Sequence, residues 1–264
     1  MSKVIVEKFG RVTLIKINRP ERMNALDIEA NEAMKAALNA FKADDGAQIA
    51  VLTGAGDKAF CAGADLKDFS LQIGTKPAPW FRENYNDAQG FGGVTRNFEC
   101  NKPILAAING YCLSGGLEIA LATDIRFCSE EAEFGLQDVQ WGFHAGDGGG
   151  IRLPLAVGLG NAFDIMLSGE RIDAKHALRI GLVNRIYSAA EVLEKTLDYA
   201  QMLATRAPLG QRFAKEVMRR TVHMNMDDAL RFEVRSFQDL SQTEDLVEGV
   251  TAFAEKRTPV FKGR

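Results

Sequence analysis

Between Lys102 and Asp147 the chain reads KPILAAINGYCLSGGLEIALATDIRFCSEEAEFGLQDVQWGFHAGD, and this stretch limits the possible folds more than any other. Ile104–Asn109 is a short, unbroken apolar run, the pattern of a strand buried on both faces. A glycine turn follows, then a short helix expected over Leu117–Thr123, then a second strand at Ile125–Cys128. The helix begins with a carboxylate, Glu118, and a second carboxylate, Asp138, stands 138 − 118 = 20 residues on. Everything else in the chain can be read as what places these two groups and brings a substrate to them.

Upstream, Val4–Phe9 and Val12–Asn18 are β-branched runs joined by Gly10-Arg11, which predicts a hairpin. Pro20 breaks that pattern, and Asp27 is placed to cap a helix whose Met34, Ala37, Leu38 and Phe41 share one face. Ile49–Thr53, ending at Gly54, reads as a buried strand, so strand, helix and strand suggest a right-handed parallel crossover. Residues 70–79 read as a loop and Trp80–Cys100 as a helix with glycines at 90, 92 and 93 in its middle. The glycine-rich run from Gly142 to Gly150 reads as loop.

From Ile151 the pattern turns helical. Leu193, Leu197, Ala200 and Ala204 mark one helix, and Phe213, Val217 and Met218 another after Pro208. Asp227 is a candidate cap for a third, and a last helix is expected from about Thr243 to Lys256. This is an α/β core followed by a helical region. The division expected is a core over residues 1–200 and a helical oligomerisation region over 201–264.

The 264 residues are 46% hydrophobic and 25% charged, sufficient for a core without disulfides. Cys61, Cys100, Cys112 and Cys128 show neither a CxxC pair nor metal-ligand spacing, so they read as buried thiols in a reducing compartment. A net charge of −3 offers nothing to nucleic acid or an anionic membrane, so an anionic ligand needs a local basic patch. The start, MSKVIVEKFG, has no apolar signal core, and no run is long enough to span a bilayer; the expectation is a cytoplasmic protein.

Two motifs fail in context. GAGDKA at Gly54–Ala59 matches a dinucleotide fingerprint, but the residues after it do not open a helix and no acid follows at ribose distance. Ser114, Asp138 and His144 occur in the order of a hydrolase triad, but Cys112 replaces the first glycine of the nucleophile elbow and the three crowd into thirty-one positions, 114 to 144. Backbone donors make the better reading. Gly115-Gly116 opens a helix with bare N–H groups, and Ala62-Gly63-Ala64 is a second small-residue turn. Two such turns on adjacent strands can share one oxygen, as an oxyanion hole does. Beside it, two carboxylates suit proton transfer next to a carbonyl or addition of water to an adjacent double bond. Packing glycines, a helix-terminal charge at Glu118 and a loop residue at Asp138 would leave the same trace.

The blocks NRPERMNAL, AFCAGADLKDF, KPILAAINGYCLSGGLEIALATDIRF, FGLQDVQWGF, GGGIRLPLAVG and SGERIDAKHALRIGLVNRI settle the choice. Together, and in this order, they resemble the crotonase, or enoyl-CoA hydratase/isomerase, superfamily. The resemblance implies a spiral of ββα turns with a helical C-terminal trimerisation region, assembled as a homotrimer or a dimer of trimers. It implies an acyl-CoA substrate, with the coenzyme arriving as part of it and no separate cofactor or metal. The N–H groups of Ala64 and Gly115 would hold the thioester oxygen, and Glu118 and Asp138 would stand where hydratases carry their catalytic carboxylates. Arg22, Met23, Ala62, Asp65 and Leu66 would meet the coenzyme, and Lys256 would reach the coenzyme phosphates of a neighbouring subunit.

Three departures bear on this. Asp138 replaces a glutamate, setting its carboxylate back by ~1.5 Å. Ser114 replaces the first of three glycines, and His144 and Asp147 bring polar groups into the following loop. Asp147 is an additional acid/base candidate or, alternatively, the N-cap of a helix starting near Gly149; His144 is a substrate contact or a locally bonded loop residue. The activity implied is an enoyl-CoA hydratase. The alternatives are an enoyl-CoA isomerase, a dehydratase or hydrolase of a specialised acyl-CoA, or a non-catalytic binding protein of the same fold.

Overall fold

The computed structural model describes residues 2–67, 76–84 and 88–264, with the side chains of 82–84 excepted. Its centre is a six-stranded sheet in the order β1-β2-β3-β5-β7-β10, formed by Val4–Phe9, Val12–Ile17, Ile49–Gly54, Ile104–Ile108, Ile125–Ser129 and Arg185–Tyr187. The expected hairpin is there, β1 and β2 pairing antiparallel, and all the other pairs in this sheet are parallel. Strands β3 and β5 are buried throughout, and the period of two divides their side chains between two cores. Ala50, Leu52, Ala106 and Ile108 face one core, while Ile49, Val51, Leu105 and Ala107 face the other beneath Ala200 and Leu197.

A second, four-stranded sheet, β4-β6-β8-β9, is built from Ala59–Cys61, Tyr111–Leu113, Glu133–Gly135 and Ile172–Asp173. Each turn of the chain gives one strand to each sheet: β3 then β4, β5 then β6, β7 then β8. Such a spiral requires the chain to corner sharply between sheets. Asn109 fastens one corner, its amide donating to the carbonyls of Gly54 and Gly56 at 3.1 and 2.8 Å. Asn24 does the same for the carbonyls of Ala55 and Ala59. The residues after Gly54 therefore lead into a strand, not the helix a dinucleotide motif requires.

Helix α1 (Ile28–Ala43) is capped by Asp27, whose carboxylate accepts the N–H of Ala30, and its Met34, Leu38 and Phe41 are buried as the spacing predicts. The expected helix over Trp80–Cys100 is present only at its start and is absent over residues 88–100. Helix α2 covers Ala78–Asn84, so the anticipated 70–79 loop also ends early, with the rest of it outside the described residues. Past residue 88 the chain is irregular apart from one turn of 3-10 helix at Phe91–Gly93. Gly90, Gly92 and Gly93 all have positive φ, which breaks a helical ladder. Helix α3 is Gly115–Ala122; α4 and α5, Gly149–Val157 and Leu159–Ser168, follow the glycine loop, and α6 is Ala174–Arg179.

Helices α7 to α10 are Val192–Leu203, Pro208–Thr221, Met226–Leu240 and Glu244–Glu255. Asn225, not Asp227, caps α9, and Thr243 caps α10. No residue of α9 is buried, and Met226, Leu230, Val234 and Phe237 line up along it exposed. All four cysteines are buried and free. Among the described residues no helix is long and apolar enough to cross a membrane.

Candidate active site

The site grows from the start of α3. Ser114 precedes it at φ 47°, ψ −120°, a conformation that favours glycine, and its N–H is anchored to the carbonyl of Gly135 at 2.8 Å. Gly115 and Gly116 must be glycine for steric reasons. A Cβ on Gly116 would lie 2.0 Å from the carbonyl oxygen of Cys61, and one on Gly115 would lie 2.6 Å from a ring carbon of Phe91. That closeness brings the first turn of α3 against the loop after β4. Gly63, at φ 95°, sits there facing the Gly115 nitrogen, where a Cβ would lie a tight 3.2 Å away. Among the described residues the N–H groups of Ala64 and Gly115 donate no hydrogen bond. Two such donors on touching turns, one at a helix N-terminus, have the chemistry to seat an oxygen that gains negative charge.

Glu118 lies one turn into α3 and is buried, at 3% exposure. One carboxylate oxygen, Oε1, accepts the N–H of Asp147 at 2.6 Å and that of Gly149 at 2.9 Å. Burial pushes its carboxyl up to about 7, helped by the charges of Asp147 and Asp138 and opposed by the two N–H bonds. Asp138 stands in a 3-10 helix, Gln137–Trp141, and is likewise buried. Its Oδ2 has no hydrogen-bond partner among the described residues. Burial raises this carboxyl too, against its own N–H, the Ser114 hydroxyl and His144. The charge of Asp138 adds only the smallest of the causes that raise Glu118, and burial is the main cause for both carboxyls.

Asp147 is not the cap of α4; Gly148, at φ 101°, holds that position. The Asp147 carboxylate instead accepts from the N–H of Phe91, the hydroxyl of Thr95 and the guanidinium of Arg96. The His144 ring is exposed and its Nδ1 is 2.9 Å from the carbonyl of Ala145, a local contact.

The expected coenzyme residues form a ledge leading to Ala64. Ala62 donates its N–H to the carbonyl of Met23 at 3.1 Å, Leu26 to that of Gly63, and Asp65 to that of Leu26, so the segment after Pro20 runs alongside 62–65. Arg22 is exposed, Leu66 is 46% exposed, and Asp65 is ion-paired to Arg19 at 3.2 Å. Lys256 stands apart. It closes α10 in the left-handed conformation, exposed, and no ion pair or side-chain hydrogen bond joins it to the ledge among the described residues. Nor do the described residues offer a cluster of three His, Cys, Asp or Glu for a metal ion. A cavity of about 380 Å³ lies elsewhere, between α8, α9 and α10, lined by apolar groups such as Leu209, Phe237, Phe253 and Phe261.

The sequence alone did not point to Phe91, Thr95, Arg96 or Arg152. The first three fall in the stretch expected to be helix, where three glycines within four residues are the signal of an irregular, closely packed backbone.

Comparison with known proteins agrees across the whole chain. The sequence profile described as enoyl-CoA hydratase/isomerase matches residues 7–264. The carnitinyl-CoA dehydratase of Proteus mirabilis is 37% identical over 259 residues, 97% of this chain and 96% of that protein. The crystal structure of an enoyl-CoA hydratase from Mycobacterium marinum superposes with a TM-score of 0.90 at 31% identity, covering 100% of both chains. One from Bacillus anthracis gives 0.88 at 31% identity, covering 99% of this chain and 100% of that one.

Proposed function

The chain belongs to the enoyl-CoA hydratase/isomerase family, and from that premise we propose that it adds water reversibly across the 2,3-double bond of an enoyl-CoA thioester. Dehydration of a 3-hydroxyacyl-CoA is the same reaction run backwards. The observation that carries the reading is the pairing of two unsatisfied N–H groups, at Ala64 and Gly115, with two buried carboxylates whose proton affinity is raised.

The chemistry follows from that geometry. As water adds to C3, the π electrons move through C2 to the thioester carbonyl, whose oxygen becomes an enolate oxygen held by the two N–H groups. One proton of the water passes to the ionised member of the Glu118/Asp138 pair, and C2 takes a proton from the other member. The pair ends with the same number of protons it began with, one shared between two groups. A carboxyl with a pKa of about 7 suits this exchange, because it holds and releases a proton near neutrality. An isomerase would need one such group; the unpaired buried oxygen of Asp138 favours the reading that uses both.

Arg22, Met23, Ala62, Asp65 and Leu66 form the ledge on which the coenzyme would lie, and Lys256 of a neighbouring copy would meet its phosphates. The coenzyme enters as part of the substrate and no other cofactor is needed. A homotrimer or dimer of trimers would also cover the exposed apolar face of α9. The test is turnover of crotonyl-CoA followed by loss of its conjugated thioester absorbance, with 3-hydroxybutyryl-CoA and carnitinyl-CoA assayed in the dehydrating direction. No turnover in either direction removes the hydratase reading, and turnover unchanged by Glu118→Gln removes the assignment of Glu118.

A further inference from the structure

Asp147 stands at the joint between two parts of the site. Its N–H donates to Glu118 Oε1 at 2.6 Å, and the second donor to that oxygen, the Gly149 N–H, follows two residues on. Its carboxylate serves a different segment: Oδ1 accepts from Phe91 N–H at 3.0 Å, Thr95 Oγ1 at 3.0 Å and the Arg96 guanidinium at 2.9 Å. Arg152 closes the same joint from α4, donating to the carbonyl of Asp147 at 3.2 Å and to that of Thr95 at 2.6 Å. The approach is so close that a Cβ on Gly90 would lie 2.3 Å from Thr95 Oγ1 and 3.0 Å from Asp147 Oδ1. The held segment in turn presses the Phe91 ring onto Gly115, one of the two oxyanion donors.

We propose that Asp147 is a positioning residue that locks the turn donating to Glu118 and the Phe91–Arg96 segment behind the oxyanion donors into one rigid piece. A buried carboxylate with several charge-assisted and neutral donors is a stiff acceptor, and a shift of about 1 Å between a proton-transfer group and its substrate is enough to cost about a hundred-fold in rate. What Glu118 does rests on the hydratase reading; the joint itself does not. The role differs from proton transfer, because the hydrogen bond to Glu118 comes from the Asp147 amide.

The charged surroundings give the test its sign. Glu118 is faced by Asp147 and Arg152 from α4 and its leading loop, by Asp138 from the 3-10 helix with His144 beyond it, and by Arg96 behind Asp147. Strands β4 and β6 carry the Cys61 and Cys112 thiols, held neutral by burial, and Tyr111, whose ring lies under the Arg171 guanidinium. Asp147→Asn keeps an oxygen to accept from the 91–96 segment but removes one negative charge beside Glu118; Asp147→Ala removes both. The readouts are the pH profile of kcat/KM and an infrared titration of the protonated Glu118 carboxyl, identified as the band that Glu118→Gln abolishes.

The asparagine variant should keep kcat within about ten-fold of wild type while its acid-side inflection and the infrared titration both move to lower pH. The alanine variant should lose about a hundred-fold in kcat with a smaller change in KM. Should the alanine protein not fold, the asparagine variant and the infrared titration decide alone. The proposal is overturned if Asp147→Asn loses as much kcat as Glu118→Gln, which makes Asp147 a proton-transfer group. It is also overturned if the asparagine variant leaves both the inflection and the titration where wild type has them. Absence of turnover in wild type would instead remove the hydratase reading, while the infrared titration still judges the joint.

Discussion

A Cβ atom built on Gly63 would lie 3.2 Å from the amide nitrogen of Gly115, so the two turns whose N–H groups are unpaired among the described residues are in direct contact. Gly63 also holds φ 95°, where an L side chain is strained. Gly63→Ala should therefore push the turns apart or twist the Ala64 N–H away from the common oxygen. Loss of one oxyanion donor costs about 10²–10³ in kcat, and a displaced one should cost about ten- to a hundred-fold. Steady-state kinetics should show the loss in kcat with KM affected less. A variant with both parameters unchanged would dissociate these turns from catalysis.

Glu118 gives a prediction about stability as well as rate. Its folded-state carboxyl is raised to about 7 from 4.5, so the folded protein binds this proton more tightly than the unfolded chain does. The contribution is fully present below pH 4.5 and is lost as pH rises through about 7, a span worth about 3 kcal/mol on this scale. Glu118→Gln has no such proton to lose. Relative to wild type its melting temperature should rise between pH 5 and pH 8, while kcat falls by about 10²–10⁴. A melting-temperature difference independent of pH would show that Glu118 does not titrate in this range.

Asp138 separates activity from stability more cleanly. Among the described residues its Oδ2 is buried without a partner, and burial raises its carboxyl, so its ionised form is held at a cost. Asp138→Asn removes that cost and, on the proposed mechanism, a proton-transfer group as well. The variant should lose about a hundred-fold or more in kcat and melt no lower than wild type at pH 8. Asp138→Glu should keep measurable turnover. Equal loss in both variants would mean that the position is structural.

These groups were unequally legible in the sequence. The buried strands β3 and β5, the cap at Asp27 and the helix bearing Glu118 were readable because each depends on local pattern: an apolar run, a side chain three residues from the N–H it caps, a glycine turn. The short strands β4, β6 and β8 were not foreseen, because runs of three residues carry too little periodicity and are defined by their partners across the second sheet. The 88–97 region departs from the expected helix because Phe91, Thr95 and Arg96 are arranged by a carboxylate about fifty residues away, at Asp147. Spacing along the chain carries no trace of such a bond. The similarity to a known family, and not any local pattern, supplied the candidate roles for Ala64, Gly115 and the coenzyme ledge.

The last prediction concerns α9. Met226, Leu230, Val234 and Phe237 recur at helical spacing and are 72%, 50%, 67% and 65% exposed, while α10 adds Val247 and Phe253 at 64% and 87%. Apolar side chains aligned in this way form a continuous stripe, whereas scattered surface apolar residues need no explanation. A second copy is the occupant that fits, because closed symmetric assembly buries the same stripe on every chain. Val234→Asp places a charge in the middle of that stripe, where burial without a partner would cost several kcal/mol. Sedimentation velocity should show wild type as a multiple of the 28.9 kDa chain and the variant shifted towards the single chain. Because α9 buries no residue of its own within the chain, the substitution should leave the far-ultraviolet circular dichroism of the core intact. A variant that sediments as wild type does would show that this stripe is not where copies meet.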